Sequence, residues 1–188
     1  MQRKNFGNML CPVARTLERV GEWWSILILR DAFHGLTRFD QFQTSLGIAP
    51  NMLTRRLDAL VEAGLLARRL YSKHPPRHEY ILTSRGRDFW PVLVSLMAYG
   101  NRHFAPEGLA TQLADAQTGH PADPVLVDRA SGAALDNEHY KLSPGPAASP
   151  AMRMRMQYAD KRRAQEDADK EWADYVRLRE KTASRFSV

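Results

Sequence analysis

Residues 48–66 read IAPNMLTRRLDALVEAGLL, and the reading of this stretch decides the fold. Leu53, Leu57, Leu60 and Val61 fall on one face at helical spacing. Pro50 suits a first helical turn, where its missing N–H would have had no intrahelical partner. The opposite face, at about 100° per residue, carries Asn51, Arg55, Asp58 and Ala59, flanked by Met52 and Arg56, and Gly64 is placed to end the helix. The leucine face requires a core. The polar face requires a different explanation.

Upstream, Thr37-Arg38-Phe39-Asp40-Gln41-Phe42 opens a shorter helix, with Thr37 the expected N-cap and Phe39, Phe42 and Leu46 at core spacing. Gly47-Ile48-Ala49 separates it from the helix expected over 50–63, which is the length and punctuation of a helix-turn-helix. Two further helices are expected over 13–20 and 22–33. Downstream the period changes: 66–72 and 78–83 read as strands joined by Lys73-His74-Pro75-Pro76-Arg77, a hairpin with a basic tip. Thr83 is then the expected cap of a helix over 84–101. The fold class expected is mainly α with a small β-hairpin wing, a winged helix-turn-helix with a C-terminal extension.

Composition narrows the function classes. The 188 residues are 44% hydrophobic and 26% charged, enough for one core plus extensions. The longest apolar piece, WWSILIL, is far short of the roughly 20 residues a spanning helix needs, and no signal pattern precedes it, so a soluble cytoplasmic chain is expected. Cys11 is the only cysteine, which excludes an intramolecular disulfide and any thiolate-paired zinc site. GxGxxG, Walker A, HExxH, GxSxG and CxxC are absent and the histidines are scattered, so neither an enzyme nor a cofactor or metal is expected. The net charge of +6 is unevenly placed. Residues 1–104 carry 15 Lys and Arg against 8 Asp and Glu, 105–150 carry 2 against 6, and 151–188 carry 10 against 7. The first segment is a basic module suited to a polyanion.

The helix expected over 84–101 is apolar around most of its circumference: Phe89, Trp90, Val92, Leu93, Leu96, Met97 and Tyr99. One face serves its own core, and the rest has no evident partner within about 100 residues, a small domain. A homodimer interface drawing on Phe6, Met9, Leu10, Trp90 and Met97 is the expectation, with cover by the C-terminal extension as the alternative.

Taken together, Cys11-Pro12-Val13, Gly21-Glu22-Trp23, Leu27-Ile28-Leu29-Arg30, Arg38-Phe39, Gly47-Ile48, Leu53-Thr54, Arg56-Leu57, Leu60, Glu62-Ala63-Gly64-Leu65, Pro75-Pro76-Arg77, Glu79-Tyr80 and Leu82-Thr83 with Gly86 resemble the HxlR-type winged helix-turn-helix regulators, over residues 11 to about 103. The resemblance implies a dimeric transcription regulator of MarR-like architecture, joined through its N-terminal helix and the helix after the wing. On that footing the expected partner is a double-stranded DNA operator, pseudo-palindromic and bound by a homodimeric repressor. The 50–63 helix would lie in the major groove and the 72–78 wing on the backbone or minor groove. Asn51, Met52 and Arg55 are the expected reading edge, since Asn suits adenine and Arg suits guanine. Thr54 and Arg56 would serve phosphates or local packing, and Lys73, His74 and Arg77 the backbone or minor groove. Arg38 is a further expected DNA contact. A small-molecule effector is a further candidate partner. Cys11 has two readings: a small apolar interface residue, or the sensor of electrophiles and oxidants that some members carry at this position. Glu22 stands where members usually have lysine, and Ala49 where they tend to have serine. A winged helix used only for protein–protein interaction is the alternative function, and the cluster Arg55, Arg56, Lys73 and Arg77 argues against it.

Three regions are expected: the DNA-binding and dimerisation domain over 1–104, a Pro/Gly-rich extension over 105–150 with a small hairpin about Ser131-Gly132, and a charged helix or tail over 151–188. The extension is similar to that of longer HxlR-type relatives, some with cysteines near the positions of Asp128 and Ser131. In the tail, Ala164, Ala168, Trp172 and Val176 form an i+4 row expected to be a docking surface.

Overall fold

The computed structural model describes the backbone of residues 10–183 and the side chains of 10–174 apart from 168 and 171. Phe6 and Met9 therefore lie outside the described residues, as do the side chains of Ala168 and Val176. The chain divides into two compact units, one running to Asp136 and the other beginning at Asn137.

The first unit opens with α1 (Pro12–Val20) and α2 (Trp23–Phe33), followed by α3 (Phe39–Leu46) and α4 (Pro50–Glu62). The turn between α3 and α4 works because Gly47 adopts φ 60°, a left-handed conformation that a Cβ disfavours, and its N–H bonds the Gln43 carbonyl at 2.9 Å. Gly64, at φ 70°, ends α4 in the same way. Leu53, Leu57 and Leu60 are fully buried against Ile28 and Leu29 of α2 and Phe42 of α3, while Val61 and Met52 are half-buried against that cluster. Full burial of such a side chain contributes about 1.5–3 kcal/mol, so this leucine row is a principal anchor of α4.

The wing is the antiparallel pair β1 (Leu66–Lys73) and β2 (Pro76–Leu82). Pairing continues closer to the tip than the two prolines led one to expect, with Lys73 opposite Pro76 and only His74 and Pro75 in the turn. A proline at an edge position loses no ladder hydrogen bond, which is how Pro76 starts a strand. The register slips between Leu70 and Ser72, leaving Tyr71 as a bulge. Thr37-Arg38 meets the wing at one isolated bridge: the Tyr80 N–H donates to the Thr37 carbonyl at 2.7 Å, and Arg38 lies opposite Glu79.

Thr37 is not the cap of α3. The Gln41 side chain reaches back to the N–H groups of Thr37 and Arg38 at 3.0 and 2.9 Å, and the Thr37 hydroxyl turns to Glu79. Thr83, in contrast, caps as expected. Its hydroxyl accepts the Gly86 N–H at 3.0 Å and donates to the Gly64 carbonyl at 2.7 Å, tying the helix after the wing to the end of α4. The packing there is so close that a Cβ on Gly86 would collide with the Leu65 carbonyl. The single helix expected over 84–101 is two, α5 (Ser84–Arg87) and α6 (Trp90–His103). Pro91 lacks the N–H that a continuous helix would need, so the chain restarts with proline in the first turn.

Beyond α6 the first unit holds a two-residue pair, β3 (Leu113–Ala114) with β4 (Pro121–Ala122). Runs so short leave no periodicity to read. The hairpin expected about Ser131-Gly132 is reduced to one bridge between Val127 and Ala134. Asp128 holds that turn, accepting from the Ser131 hydroxyl at 2.7 Å, and this bond foremost lowers its carboxyl below its ordinary range. The second unit is dominated by α7 (Pro150–Ala183), with Lys141 paired to Asp160 at 2.9 Å and Arg163 donating to Asn137 at 3.2 Å. Ala164 and Trp172 are both exposed on it.

Candidate nucleic-acid interface

α4 presents its start to solvent. Ala49 offers no side-chain cap, and its carbonyl alone accepts the Met52 and Leu53 N–H groups, at 2.9 and 3.0 Å. Asn51, Thr54 and Arg55 are exposed on the first turns. Arg55 makes no ion pair among the described residues. The Thr54 hydroxyl donates to the Pro50 carbonyl at 3.0 Å, which turns it back onto its own helix. Met52 packs against the core at half burial, so the side chains fully presented at the helix start are Asn51 and Arg55.

Of the two roles expected of Arg56, phosphate contact or local packing, its surroundings match the second. One guanidinium nitrogen lies 3.2 Å from Glu22 at the start of α2, and the side chain is 18% exposed. Its Nε is buried without a hydrogen-bond partner. Glu22 thus ties α4 to the start of α2. A second charge, Asp31 of α2, is 2% exposed and held by Arg30, whose Nη2 and Nε donate to its Oδ1 at 2.7 and 2.9 Å. Charges buried this far need such partners, because desolvation costs several kcal/mol by general measure.

The wing divides its charges between two faces. Arg69 pairs with Glu79 across the strands at 2.7 Å, and the hydrogen bond from Arg69 is the foremost cause of a Glu79 carboxyl held below its ordinary value of 4.5. On the alternate face Arg68 lies opposite Tyr80 and Leu70 opposite His78, and Arg68 Nη2 is 3.3 Å from His78 Nδ1. Burial pushes the Tyr80 phenol up from 10.0, with Arg68 opposing. The bulge aims the Tyr71 ring at Arg38, whose guanidinium carbon sits 4.8 Å from the ring centroid. Arg38, Arg68, Tyr71, Arg77, His78 and Asp40 border one hollow of about 360 Å³. Lys73, His74 and Arg77 are exposed at the tip. The structure therefore brings Arg38 and Arg77, far apart in sequence, into one place, and adds Arg68, Tyr71 and His78, which the sequence reading did not single out.

Of the residues expected at a dimer interface, Leu10 is exposed, Trp90 meets Phe33 in a tilted contact with centroids 5.0 Å apart, and Met97 lines a second hollow. That hollow, of about 610 Å³, lies between α2 and α6 and is closed by residues 104–113. Ile26, Leu27, Trp90, Leu93 and Phe104 are among its lining. Asn101 holds the covering segment through the Thr111 carbonyl at 2.9 Å. Cys11 is half-buried and precedes α1, its carbonyl accepting the Arg15 N–H at 3.0 Å. No described helix is long and apolar enough to cross a membrane.

A helix-turn-helix with an exposed polar start on its second helix, followed at once by a basic two-stranded wing, defines a winged-helix DNA-binding transcription regulator. The comparisons make the family specific: residues 19–108 match the HxlR-like helix-turn-helix family, and the chain belongs to it. The uncharacterized HTH-type transcriptional regulator Rv3095 of Mycobacterium tuberculosis is 44% identical over 135 residues, covering 71% of this chain and 85% of that protein. The solved structure of PA1374 from Pseudomonas aeruginosa, described as a candidate transcription factor, is 54% identical. It covers 77% of this chain and 99% of its own, at a TM-score of 0.57. PA1607, described likewise, is 41% identical with 74% and 99% coverage and a TM-score of 0.66.

Proposed function

We propose that this chain is a sequence-specific homodimeric repressor that reads a pseudo-palindromic operator with α4 in the major groove. The observation that carries the reading is the division of α4: three leucines wholly buried, with Asn51 and Arg55 exposed at the groove-entering end. Thr54 contributes to local helix structure and Arg56, through Glu22, to the seating of the helix. Lys73, His74 and Arg77 are the wing contacts. Dimerisation is supported by the apolar side chains left exposed on α1 and α6, among them Val13, Leu17, Val92, Leu96 and Tyr99. Two-fold symmetry then predicts half-sites about 34–36 Å apart, one helical turn. The hollow between α2 and α6 is of a size that suits a small, largely apolar effector. Cys11 is the candidate thiol sensor, separable from that hollow by comparing the wild type with Cys11→Ser under alkylation.

The test is a fluorescence-anisotropy titration against duplex from the region upstream of the protein's own gene. A dimer that neutralises about 8 phosphates shows log affinity falling with log salt at a slope near about −7. No binding to that duplex at any salt, or to a selected library, removes the reading, and a reporter that rises on expression of the protein reverses the sign of regulation.

A further inference from the structure

The hollow between α3 and the wing carries an inference beyond the wing contacts already named. Its basic side chains come from three separate places: Arg38 before α3, Arg68 on β1, and Arg77 with His78 on β2. Among the described residues none of these three arginines lies within ion-pair distance of an acid, although the charge of Arg38 acts on the Glu79 carboxyl. Arg69, one residue from Arg68, shows the contrast, since its charge is matched by Glu79 at 2.7 Å. Two of the three are nonetheless held in position, Arg38 over the Tyr71 ring at 4.8 Å and Arg68 at 3.3 Å from His78 Nδ1. Phe39 and Asp40, from the first turn of α3, also border the hollow, where the helix dipole adds partial positive charge. Asp40 is the only acid on the rim. Three arginines and one acid border this small space, and an anion entering it offsets the excess positive charge.

We infer that this hollow is a clamp for a backbone phosphodiester of bound DNA, with Arg68 and Arg38 donating to its oxygens and Tyr71 and His78 as positioning residues. The inference rests on the DNA-binding reading above. It adds Arg68, Tyr71 and His78 to that reading and gives Arg38 a specified partner. A guanidinium fork suits a phosphate bidentately, and stacking on Tyr71 reduces the freedom Arg38 has to lose on binding. Because a phosphodiester is the same in every sequence, the clamp contributes to affinity and register and leaves base preference alone.

The experiment uses the full chain, a labelled duplex from upstream of its own gene and a shuffled duplex of equal length, each titrated across a salt series. Arg68→Gln is expected to weaken both duplexes alike, by about tenfold, and to reduce the magnitude of the salt slope by about one. Arg38→Gln is read the same way as a second variant. Arg68→Lys retains the slope and loses part of the affinity, which a role in folding alone would not produce. Wild-type binding together with unaltered slopes in both Arg68→Gln and Arg38→Gln overturns the clamp and leaves the DNA-binding reading standing. Failure of the wild type to bind either duplex overturns both.

Discussion

α4 and α6 are both rich in large apolar residues, and they end in opposite conditions. Leu53, Leu57 and Leu60 of α4 are wholly buried, whereas no residue of α6 is, and Leu96 and Tyr99 remain 47% and 58% exposed. The pattern accounts for the difference. In α4 the apolar residues occupy one stripe that a single core can cover, and the polar face is left to solvent and, on the reading proposed, to DNA. In α6 they run round the helix, and α2 with the segment 104–113 lies against only part of it. A striped helix completes itself within its own chain, while an all-round apolar one, on the reading proposed, leaves a surface for another.

The contrast can be broken at its strongest point first. Leu57→Ala is expected to lower stability by about 2–5 kcal/mol through lost burial and a residual cavity, read as a fall in the chemical or thermal unfolding midpoint. A change below about 0.5 kcal/mol would mean that α4 is not anchored by its leucine row. Leu96→Glu tests the other helix. It should weaken self-association more than tenfold in sedimentation analysis while the folded monomer keeps its secondary structure, and an unaltered association would place any dimer elsewhere. Arg55→Ala examines the outer face of α4, where about 1–3 kcal/mol of discrimination between preferred and altered operators should disappear and fold stability should not. Equal loss on all sequences would instead make Arg55 a phosphate contact.

The smallest effect belongs to the wing. Glu79 is held below its ordinary value of 4.5 chiefly by the Arg69 hydrogen bond. A carboxyl lowered on folding contributes stability that is fully present above its unfolded pKa and is lost as pH falls through its folded one. The Arg69–Glu79 contribution is therefore intact at neutral pH and fades below about the ordinary carboxylate range. Glu79→Gln should flatten that part of the acid-unfolding curve, and an identical curve would show that the pair contributes nothing.

Where sequence reasoning succeeded and failed follows from distance along the chain. Thr83 was legible as a cap because its partner Gly86 is three residues on. The wing was legible because the strands alternate and flank prolines. Thr37 was misassigned as a cap because its hydroxyl is taken by Glu79, a strand away. The break at Pro91 carried a local signal, the proline itself, that the apolar run around it obscured. Met52, placed by helical spacing at the edge of the polar face, stands close enough to the leucine stripe to pack partly against it, which spacing alone does not show. Arg56 gave no sign of meeting Glu22, since that contact depends on how α2 crosses α4.

By itself, the sequence determined what repeats locally: the helix periods, the glycine turns at 47 and 64, the hairpin, the uneven charge and, through its motifs, the family. Tertiary structure decided which charges face one another. Arg56 went to Glu22, Arg69 to Glu79, and Arg38 to a hollow shared with Arg68 and Arg77. Periodicity is a property of neighbours in the chain, whereas an ion pair or an unpaired cluster is a property of neighbours in space, and these appear only once strands and helices have taken their register.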